Sequence, residues 1–394
     1  MVLKDGLATR NNCSGCGACA DSCPRGALEL ALGKDGHYYP SFDRDKCIEC
    51  GKCLRVCPVI DHKTHDNWHP QFFAALASKE EPCSTSGGVF AQMARSVLLR
   101  GGVVAGAAIN GFDVRHEVID DESGLRRLQG TKYAESDMSG LYKAIEKSLS
   151  EGREVLFSGL GCQAAGVAAY FSGHSFRDRL YIVDLICGGV PSRLLTDAFR
   201  KSSYAPDALN GFREKKKYTF SYMKDGEVRH LPFKAALPLC GFCAESTERF
   251  SCYDCPFVGA GRASDVTIGD LWGTTSLSSL PEDRHKSLVV INSPRGRAFV
   301  ESSDIIKEEI AASVALSNPR LLYGKNQKGR MAARRHMEKF FARYDYERLC
   351  SIYGSGLSKL TVDAVISKVQ GKYYSFVNRK KAKRYVSGLI EKLK

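Results

Sequence analysis

The 394-residue chain lacks several features that would place it in or beyond a membrane. No apolar run approaches the roughly 18 residues that a membrane-spanning helix needs. Residues 1–12 are polar and have no apolar core, so we predict no export signal there. The hydrophobic fraction, 43%, is ordinary for a protein that buries a core. We therefore expect a protein of the reducing cytoplasm.

Acidic residues are scarce in one part of the chain. From Lys325 to Lys394 there are 18 Lys and Arg residues against 5 Asp and Glu, which accounts for the whole net charge of +13. Such a region can form solvated helices, or it can contact nucleic acid, anionic lipid or an acidic partner such as a ferredoxin. It carries no nucleic-acid recognition motif, so we do not predict that partner. We predict a basic helical C-terminal region over residues 325–394.

Cysteine, in contrast, is abundant, with 16 residues, and eight of them form a repeated pattern. Two runs have the spacing C-x2-C-x2-C-x3-C-P, which bacterial ferredoxins use to hold [4Fe–4S] clusters. Three cysteines of a run share one cluster, and the fourth ligates the other cluster. We therefore predict two clusters in a ferredoxin-like domain over residues 1–62. The predicted ligands are Cys13, Cys16, Cys19 and Cys57 for one cluster, and Cys47, Cys50, Cys53 and Cys23 for the other.

Zinc and disulfides are the alternative uses of these eight cysteines. Structural zinc sites usually group cysteines in pairs, not in threes at a spacing of two. Disulfide frameworks are typical of small domains in an oxidising compartment, whereas this chain is long. Gly15, Gly17 and Gly51 also suit a chain that turns tightly against inorganic sulfide.

A change of pattern follows a polar linker at residues 63–71. Short apolar runs alternate with helical patterns, which predicts an α/β domain with a largely parallel sheet over residues 72–324. The fold class is thus α+β for the cluster domain and α/β, with a mixed sheet, for the larger one. Strands are predicted at 72–77, 103–107, 155–159 and 181–186, helices at 88–100 and 141–150, and a hairpin at 213–231.

The remaining cysteines offer two competing metal sites. Two C-x2-C pairs lie close together in the sequence, which suits a zinc knuckle or a third iron–sulfur cluster. Alternatively, Cys162 and Cys187 each follow a predicted parallel strand, and carboxyl ends of such strands build sites in α/β proteins. Those two could join Cys252 and Cys255, the second C-x2-C pair, in one four-thiolate site. The residues alone leave both assignments open. The two C-x2-C pairs are Cys240 with Cys243 and Cys252 with Cys255.

Six short motifs follow one another in a particular order. They are S-T-S-G-G at 84–88, G-T-K-Y at 130–133, G-C-Q at 161–163, C-G-G-V-P-S at 187–192, C-Y-D-C at 252–255 and S-D-V-T-I-G-D-L-W-G at 264–273. Each alone is weak, but the ordered set resembles the coenzyme F420 hydrogenase/dehydrogenase beta-subunit family, whose plant relative is 7-hydroxymethyl chlorophyll a reductase. Gly161 and Gly188 stand where that family has proline and histidine.

The resemblance implies non-covalent FAD on the α/β domain, with a third [4Fe–4S] cluster near it. It assigns this cluster to Cys162, Cys187, Cys252 and Cys255, leaving Cys240 and Cys243 as alternative ligands. Glycines at a helix start let backbone N–H groups approach a diphosphate, and the two serines of that loop could cap the helix. The expected cofactor-binding residues are Ser84, Ser86, Gly87, Gly88, Thr131, Lys132, Tyr133 and Gln163.

The function expected from these features is electron transfer. Clusters carry single electrons, and a flavin converts between these and two-electron chemistry. We expect ferredoxin or another redox protein as partner, and a deazaflavin or another small organic molecule as substrate. The alternative is an electron-delivery subunit with no substrate of its own. Catalytic residues are unassigned; Asp184 is either a proton donor or a structural ion-pair partner. A homo-oligomer is left open.

Overall fold

A computed structural model describes residues 5–61, 64–65, 69–213, 219–236, 239, 247–259, 261–271, 280–316 and 345–354. The N-terminal part, residues 5–61, folds around two short helices and one antiparallel hairpin, in which Leu28 pairs with Phe42. Both helices follow a glycine in the left-handed region, since Gly17 and Gly51 have φ of +84° and +69°. The elements are α1 (Ala18–Asp21), β1 (Leu28–Leu32), β2 (Tyr38–Phe42) and α2 (Lys52–Arg55).

Beyond this module the described chain forms two further sheets. One has nine strands in the order β14-β3-β13-β12-β8-β7-β4-β5-β6, and the other has three in the order β11-β10-β9. The strands are β3 (Gln71–Ala77), β4 (Val103–Asn110), β5 (Asp113–Ile119), β6 (Ser136–Asp137), β7 (Val155–Leu160), β8 (Leu180–Leu185), β9 (Ala208–Gly211), β10 (Ser221–Lys224), β11 (Glu227–His230), β12 (Val266–Asp270), β13 (Ser287–Ile291) and β14 (Ile305–Glu309).

The large sheet is mixed. Strands β4, β7, β8 and β12 pair in parallel, as the sequence predicted. However, β4 returns directly through β5 across Gly111, whose φ is +63°, and β13 pairs antiparallel with both β12 and β3. The sheet is therefore mixed, as the predicted fold class has it, and the antiparallel pairings β4–β5, β12–β13, β13–β3 and β14–β3 make it less parallel than the alternation of elements suggested. The predicted hairpin within residues 213–231 is confirmed by β10 and β11.

Helices cover the sheet, and two of them have conventional side-chain caps. Asp121 accepts a hydrogen bond from the Gly124 N–H (2.6 Å), and Ser293 accepts one from the Gly296 N–H (3.0 Å). The helices are α3 (Val89–Leu99), α4 (Glu122–Leu128), α5 (Leu141–Ser150), α6 (Gly161–Tyr170), α7 (Leu194–Arg200), α8 (Phe233–Ala236), α9 (Pro294–Glu301), α10 (Ala312–Ala315) and α11 (Tyr346–Gly354). Helix α11 lies in the predicted basic region, most of which falls outside the described residues.

The core has two layers because strand residues alternate between the sheet faces. On one face, Leu156 packs in a cluster with residues of α3, α4 and α9. On the other face, Phe157 packs with residues of α5 and α6, and Cys16 and Ala18 of the N-terminal module join this second cluster. The module is therefore part of the core that covers one face of the sheet. None of the helices in the described ranges is long and apolar enough to cross a membrane.

Buried polar contacts fasten the module to the larger domain. Tyr142 on α5 donates to the carbonyl oxygen of Cys16 at 2.6 Å, and its backbone N–H donates to Asp21 at 3.0 Å. His37 Nδ1 lies 2.8 Å from a carboxylate oxygen of Glu135. We call this contact region, formed by Cys16, Asp21, His37, Glu135 and Tyr142, the junction.

Candidate redox site

One set of four thiols lines a cavity on the junction side of the module. These residues are all buried, with 7–9% of their surface exposed. Leu7, Leu30, Pro40 and Val59 complete the apolar wall. We call this set, Cys13, Cys16, Cys19 and Cys57, the inner site.

The other four thiols of the module line a second cavity that reaches the surface. Cys53 is buried, Cys23 and Cys47 are half-buried, and Cys50 is exposed. The grouping in both cavities is the one predicted from the spacing, since the last cysteine of each run lies with three cysteines of the other run. We call this set, Cys23, Cys47, Cys50 and Cys53, the outer site.

The two sites differ in the ionisation of their thiols. Burial raises the pKa of Cys16 to about 12 and raises those of Cys13 and Cys19 as well. At the outer site burial also acts on Cys23, but the backbone N–H groups of residues 25–28 outweigh it and lower the pKa. Four thiols around one cavity suit a cluster, since bound iron supplies the positive charge that turns buried thiols into thiolates.

A third set of thiols gathers at the carboxyl edge of the large sheet. Cys162 is the second residue of α6, which starts directly after β7, and Cys187 follows β8, which pairs with β7 in parallel. Cys252 lies in the short helical turn Phe250–Asp254, and Cys255 follows it. Burial raises the pKa of Cys162, and negative charge on the other three thiols raises it further, so the four lie within electrostatic reach. We call Cys162, Cys187, Cys252 and Cys255 the third site.

The structure thus brings together the set that the resemblance implied. Cys240 and Cys243, the alternative ligands, lie outside the described residues. Across the ranges that the structure describes, no three His, Cys, Asp or Glu side chains are close enough together to hold a single metal ion.

A buried ion pair supports the third site. Arg262 donates to Asp184 at 2.6 Å, and the Ser264 hydroxyl donates to the same carboxylate at 2.8 Å. Arg262 also acts on Cys255, whose pKa burial raises to about 11 while the guanidinium partly opposes the rise. Asp184 therefore has the structural role that the sequence left open, and its carboxylate is already paired.

The serine–glycine loop before α3 is held by the sheet. Gly88, with φ of +82°, occupies the position before the helix, and no side chain caps α3. The expected capping by serine is therefore wrong: Ser84 donates to the carbonyl of Ser86 (3.3 Å), and the Ser86 hydroxyl lies 3.1 Å from that of Ser287. A Cβ at Gly87 would lie 2.7 Å from the carbonyl oxygen of Ala75, so only glycine fits against the strand.

The G-T-K-Y segment lies against that loop. The hydroxyls of Thr85 and Thr131 are 2.7 Å apart. Lys132 donates to three carbonyls around the end of α4, at 3.1, 2.7 and 2.7 Å, and burial lowers its pKa to about 7. Tyr133 lines a separate cavity with Tyr38, Glu135 and other residues. Of the predicted cofactor-binding side chains, Lys132 thus points into the protein.

Gln163 has a positioning role in the described structure. Its side-chain oxygen accepts from the N–H of Leu160 at 2.9 Å, and its amide donates to Ser136 at 2.9 Å. Both contacts hold the start of α6, where Cys162 lies. At the end of β12, Asp270 pairs with Arg213 at 2.6 Å; Trp272 lies outside the described residues.

Sequence reasoning missed the charged residues at the junction and the arginine that pairs with one of them. Arg249 is buried, forms an ion pair with Glu135, and donates to the carbonyl of Tyr38 at 2.9 Å. Its position three residues before Cys252 was the only local signal. Nothing in the sequence connects it with Glu135 or His37.

Comparison with known proteins agrees with this arrangement. Residues 12–60 match the 4Fe-4S dicluster domain, and residues 152–313 match the family described as the C-terminal part of the coenzyme F420 hydrogenase/dehydrogenase beta chain. The fold and the matches define an iron–sulfur protein of an oxidoreductase class. Residues 152–313 are thus similar to the C-terminal part of coenzyme F420 hydrogenase/dehydrogenase beta subunits, which agrees with the resemblance seen in the motifs.

Three curated relatives illustrate the match. One component of the F420H2 dehydrogenase of Methanosarcina mazei is 23% identical over 275 residues, which are 63% of this chain and 76% of the relative. The coenzyme F420-dependent sulfite reductase of Methanocaldococcus jannaschii is 27% identical over 183 residues, 42% of this chain but only 26% of that protein. An uncharacterized ferredoxin of the same organism is 38% identical over 53 residues, 14% of this chain and 68% of the ferredoxin.

Proposed function

We propose that this chain is an iron–sulfur flavoprotein oxidoreductase that exchanges electrons between a ferredoxin-type partner and a deazaflavin or other small organic substrate. Bound at the sites described above, [4Fe–4S] clusters would supply one-electron transfer, and FAD would supply the conversion to two-electron chemistry. The residues in named roles are the cysteines of the inner, outer and third sites.

The observation that carries this proposal is the contact between the inner site and α6. A Cβ on Gly166 of α6 would lie 3.0 Å from both Cβ and Sγ of Cys16. Cys162 of the third site lies in the first turn of the same helix, and its pKa is raised by burial, by the other third-site thiols and also by negative charge on Cys16. Two thiol sites are therefore held on one rigid element, which is the arrangement expected of neighbouring redox centres.

The flavin is proposed to bind where the serine–glycine loop meets the G-T-K-Y segment, at the contact between Thr85 and Thr131. Backbone N–H groups at the start of α3 suit a diphosphate, since helix N-termini favour negative charge. Thr131 lies on the facing segment, with its hydroxyl 2.7 Å from that of Thr85, and would border the same ligand, whereas Tyr133 lines the separate cavity beside Glu135. Lys132 would act indirectly, because its amine holds the end of α4 and fixes the segment that follows.

Metal analysis of the chain purified without oxygen is the first test. We expect about 12 iron atoms per chain, four for each site, together with one FAD. Cys162→Ser should remove about four iron atoms by disabling the third site. Cys83→Ser, which changes an exposed cysteine outside the three sites, is the matched control and should retain all the iron. A colourless protein that holds only zinc would contradict the proposal.

The flavin assignment has its own test. The double substitution Ser84→Ala with Ser86→Ala should lower FAD occupancy while leaving the iron content unchanged, because it removes polar groups beside the proposed diphosphate. Ser150→Ala, at the exposed end of α5, is the control. Unchanged FAD in the double variant, with FAD present in the parent, would contradict this placement.

A second function, electron delivery within a larger complex, is favoured by one observation. The relative from Methanosarcina mazei is one subunit of a dehydrogenase. An anaerobic screen with reduced ferredoxin separates the two functions. Reduction of a deazaflavin, nicotinamide or other organic acceptor by the isolated chain supports the enzyme; tight association with another protein and no acceptor reduction supports the delivery subunit.

A further inference from the structure

Arg249 links the inner site to the third site through one residue. Its carbonyl accepts from the N–H of Cys252 at 3.0 Å, which starts the turn that carries two third-site cysteines. Its guanidinium reaches in the other direction and donates to the carbonyl of Cys13 at 3.4 Å. The side chain is only 2% exposed. A permanent positive charge is therefore held out of water between two sets of thiols.

The first cysteine run is shaped to admit this charge. Gly15 has φ of +69°, and a Cβ there would lie 2.9 Å from the Arg249 guanidinium carbon and 2.8 Å from the carbonyl oxygen of Tyr38. The equivalent position in the second run is Glu49, which also has a positive φ, +53°, but is exposed. Glycine is needed at the inner site because the guanidinium lies against the backbone.

Arg249 forms an ion pair with one carboxylate among the described residues, that of Glu135. Glu135 pairs with the guanidinium and also lies 2.8 Å from His37 Nδ1. The ring of Tyr39 lies 4.7 Å from the guanidinium carbon, a distance at which an aromatic face attracts a cation. Among the residues that the structure describes, Nε of Arg249 has no hydrogen-bond acceptor. The guanidinium thus keeps one N–H that no described protein group uses.

Its electrostatic reach includes both sites. Burial lowers the pKa of Arg249, but Glu135, Tyr39, Cys13 and Cys252 outweigh it and keep the guanidinium charged. In return, Arg249 opposes the rise that burial causes in the pKa of Cys13. Arginine suits this position better than lysine because it stays protonated when buried and donates in several directions.

We propose that Arg249 is a positioning residue that raises the reduction potentials of the inner and third clusters together and so keeps them matched for electron transfer between them. The inference rests on the proposed function, since it requires clusters at these sites. Each one-electron reduction by reduced ferredoxin adds a negative charge to a cluster, and a nearby cation in a low-dielectric setting stabilises that reduced state. The outer site lacks an equivalent among the described residues: Arg55 donates to the carbonyl of Cys50 at 3.2 Å, but it is exposed.

Potentiometric titration followed by electron paramagnetic resonance tests the proposal on the full chain. Arg249→Gln should shift the reduction potentials of the inner and third clusters together to more negative values. At a fixed solution potential, the ratio of reduced to oxidised cluster should fall at least tenfold, which corresponds to about 59 mV for one electron. Arg249→Lys should restore most of this shift. Arg55→Gln is the matched control and should leave both potentials in place, because water screens its charge.

Glu135→Gln keeps the test decisive where Arg249→Gln fails to fold. Removing the countercharge should move both potentials in the positive direction, opposite to the effect of removing the cation. Fully loaded variants with unmoved potentials, or shifts of the same sign in Arg249→Gln and Glu135→Gln, would overturn the role of Arg249. Eight iron atoms in the parent chain would instead contradict the proposed third cluster, and the inner cluster alone would then report on Arg249.

Discussion

The inner and outer sites of the N-terminal module have the same sequence spacing and different surroundings. In both runs a backbone N–H donates to the sulfur of the first cysteine. The N–H of Gly15 lies 3.4 Å from Cys13 Sγ, and the N–H of Glu49 lies 3.4 Å from Cys47 Sγ. Cys16 of the inner site packs in the core that covers the sheet and the other inner thiols are buried within the module, whereas Cys50 of the outer site is exposed. Local geometry is thus shared, and burial is what distinguishes the sites.

This difference in burial suits the two sites to different steps of electron transfer. An exposed site suits exchange with a partner protein, and a buried one beside α6 suits transfer within the chain. The spacing that places four sulfurs around a cavity does not determine which role each site takes. That role comes from residues far along the chain, such as Gly166 and Arg249, which contact the inner run.

The largest expected effect comes from removing one ligand at each site. Cys16→Ser and Cys50→Ser should each lose about four iron atoms. Only Cys16→Ser should loosen the junction, because metal binding and folding are coupled and Cys16 packs on Gly166. Hydrogen–deuterium exchange should then rise in α6 and β2 for Cys16→Ser, but only around residues 23–28 and 47–53 for Cys50→Ser. Equal exchange in α6 for both variants would break the comparison.

Oxidative loss of iron should follow the same division. Exposure governs attack on cysteine and on its bound metal, so limited ferricyanide should destroy the outer cluster before the inner one. Resonance spectra recorded during the loss measure the order. Cys50→Ser, which lacks the outer cluster, should lose its remaining iron without the fast phase. A fast phase that persists in Cys50→Ser would show that the inner cluster is the exposed one.

Much of this arrangement could be predicted because it depends on short-range pattern. The cysteine spacing gave the grouping of the eight thiols, and apolar runs gave β3, β7 and β8 within one residue at each end. Cys162 and Cys187 were placed together by the general behaviour of parallel strands. These inferences need only the local geometry of strands and turns.

The rest depended on contacts between distant segments. Serine was expected to cap α3, but Gly88 with its positive φ occupies the position before the helix, Ser84 donates within the loop, and the Ser86 hydroxyl lies against that of Ser287, some 200 residues away. Lys132 was expected at a cofactor, but it completes the end of α4. The pairing of Arg249 with Glu135 joins residues that are 114 positions apart. No periodic pattern reports such contacts.

Removing glycine from the first cysteine run and introducing it at the equivalent position of the second should change the free energy of unfolding by a smaller amount. Gly15→Ala should lower the free energy of unfolding by about 2–4 kcal/mol, from the left-handed backbone and from overpacking against Arg249. Glu49→Gly should raise it by about 1 kcal/mol, because glycine relieves the left-handed strain at an exposed site. Urea unfolding without oxygen measures both. A Gly15→Ala cost no larger than the Glu49→Gly gain would remove the steric difference between the sites.

The last expected effect, which appears only in acid, extends the contrast between buried and exposed groups to histidine. His116 is buried, its Nε2 donates to the carbonyl of Ser158 at 3.1 Å, and burial lowers its pKa to about 4. Because an unfolded histidine titrates near 6.5, the neutral ring is stabilising above that pH, and this contribution to the free energy of unfolding is lost as the pH falls from about 6.5 toward 4.

Between pH 7 and pH 5 the expected loss of stability is about 2 kcal/mol. Thermal unfolding at both values should therefore show a weaker acid effect in His116→Gln than in the parent, while the exposed His285→Gln should behave as the parent does. An equal acid effect in all three proteins would mean that burial of His116 does not set its ionisation.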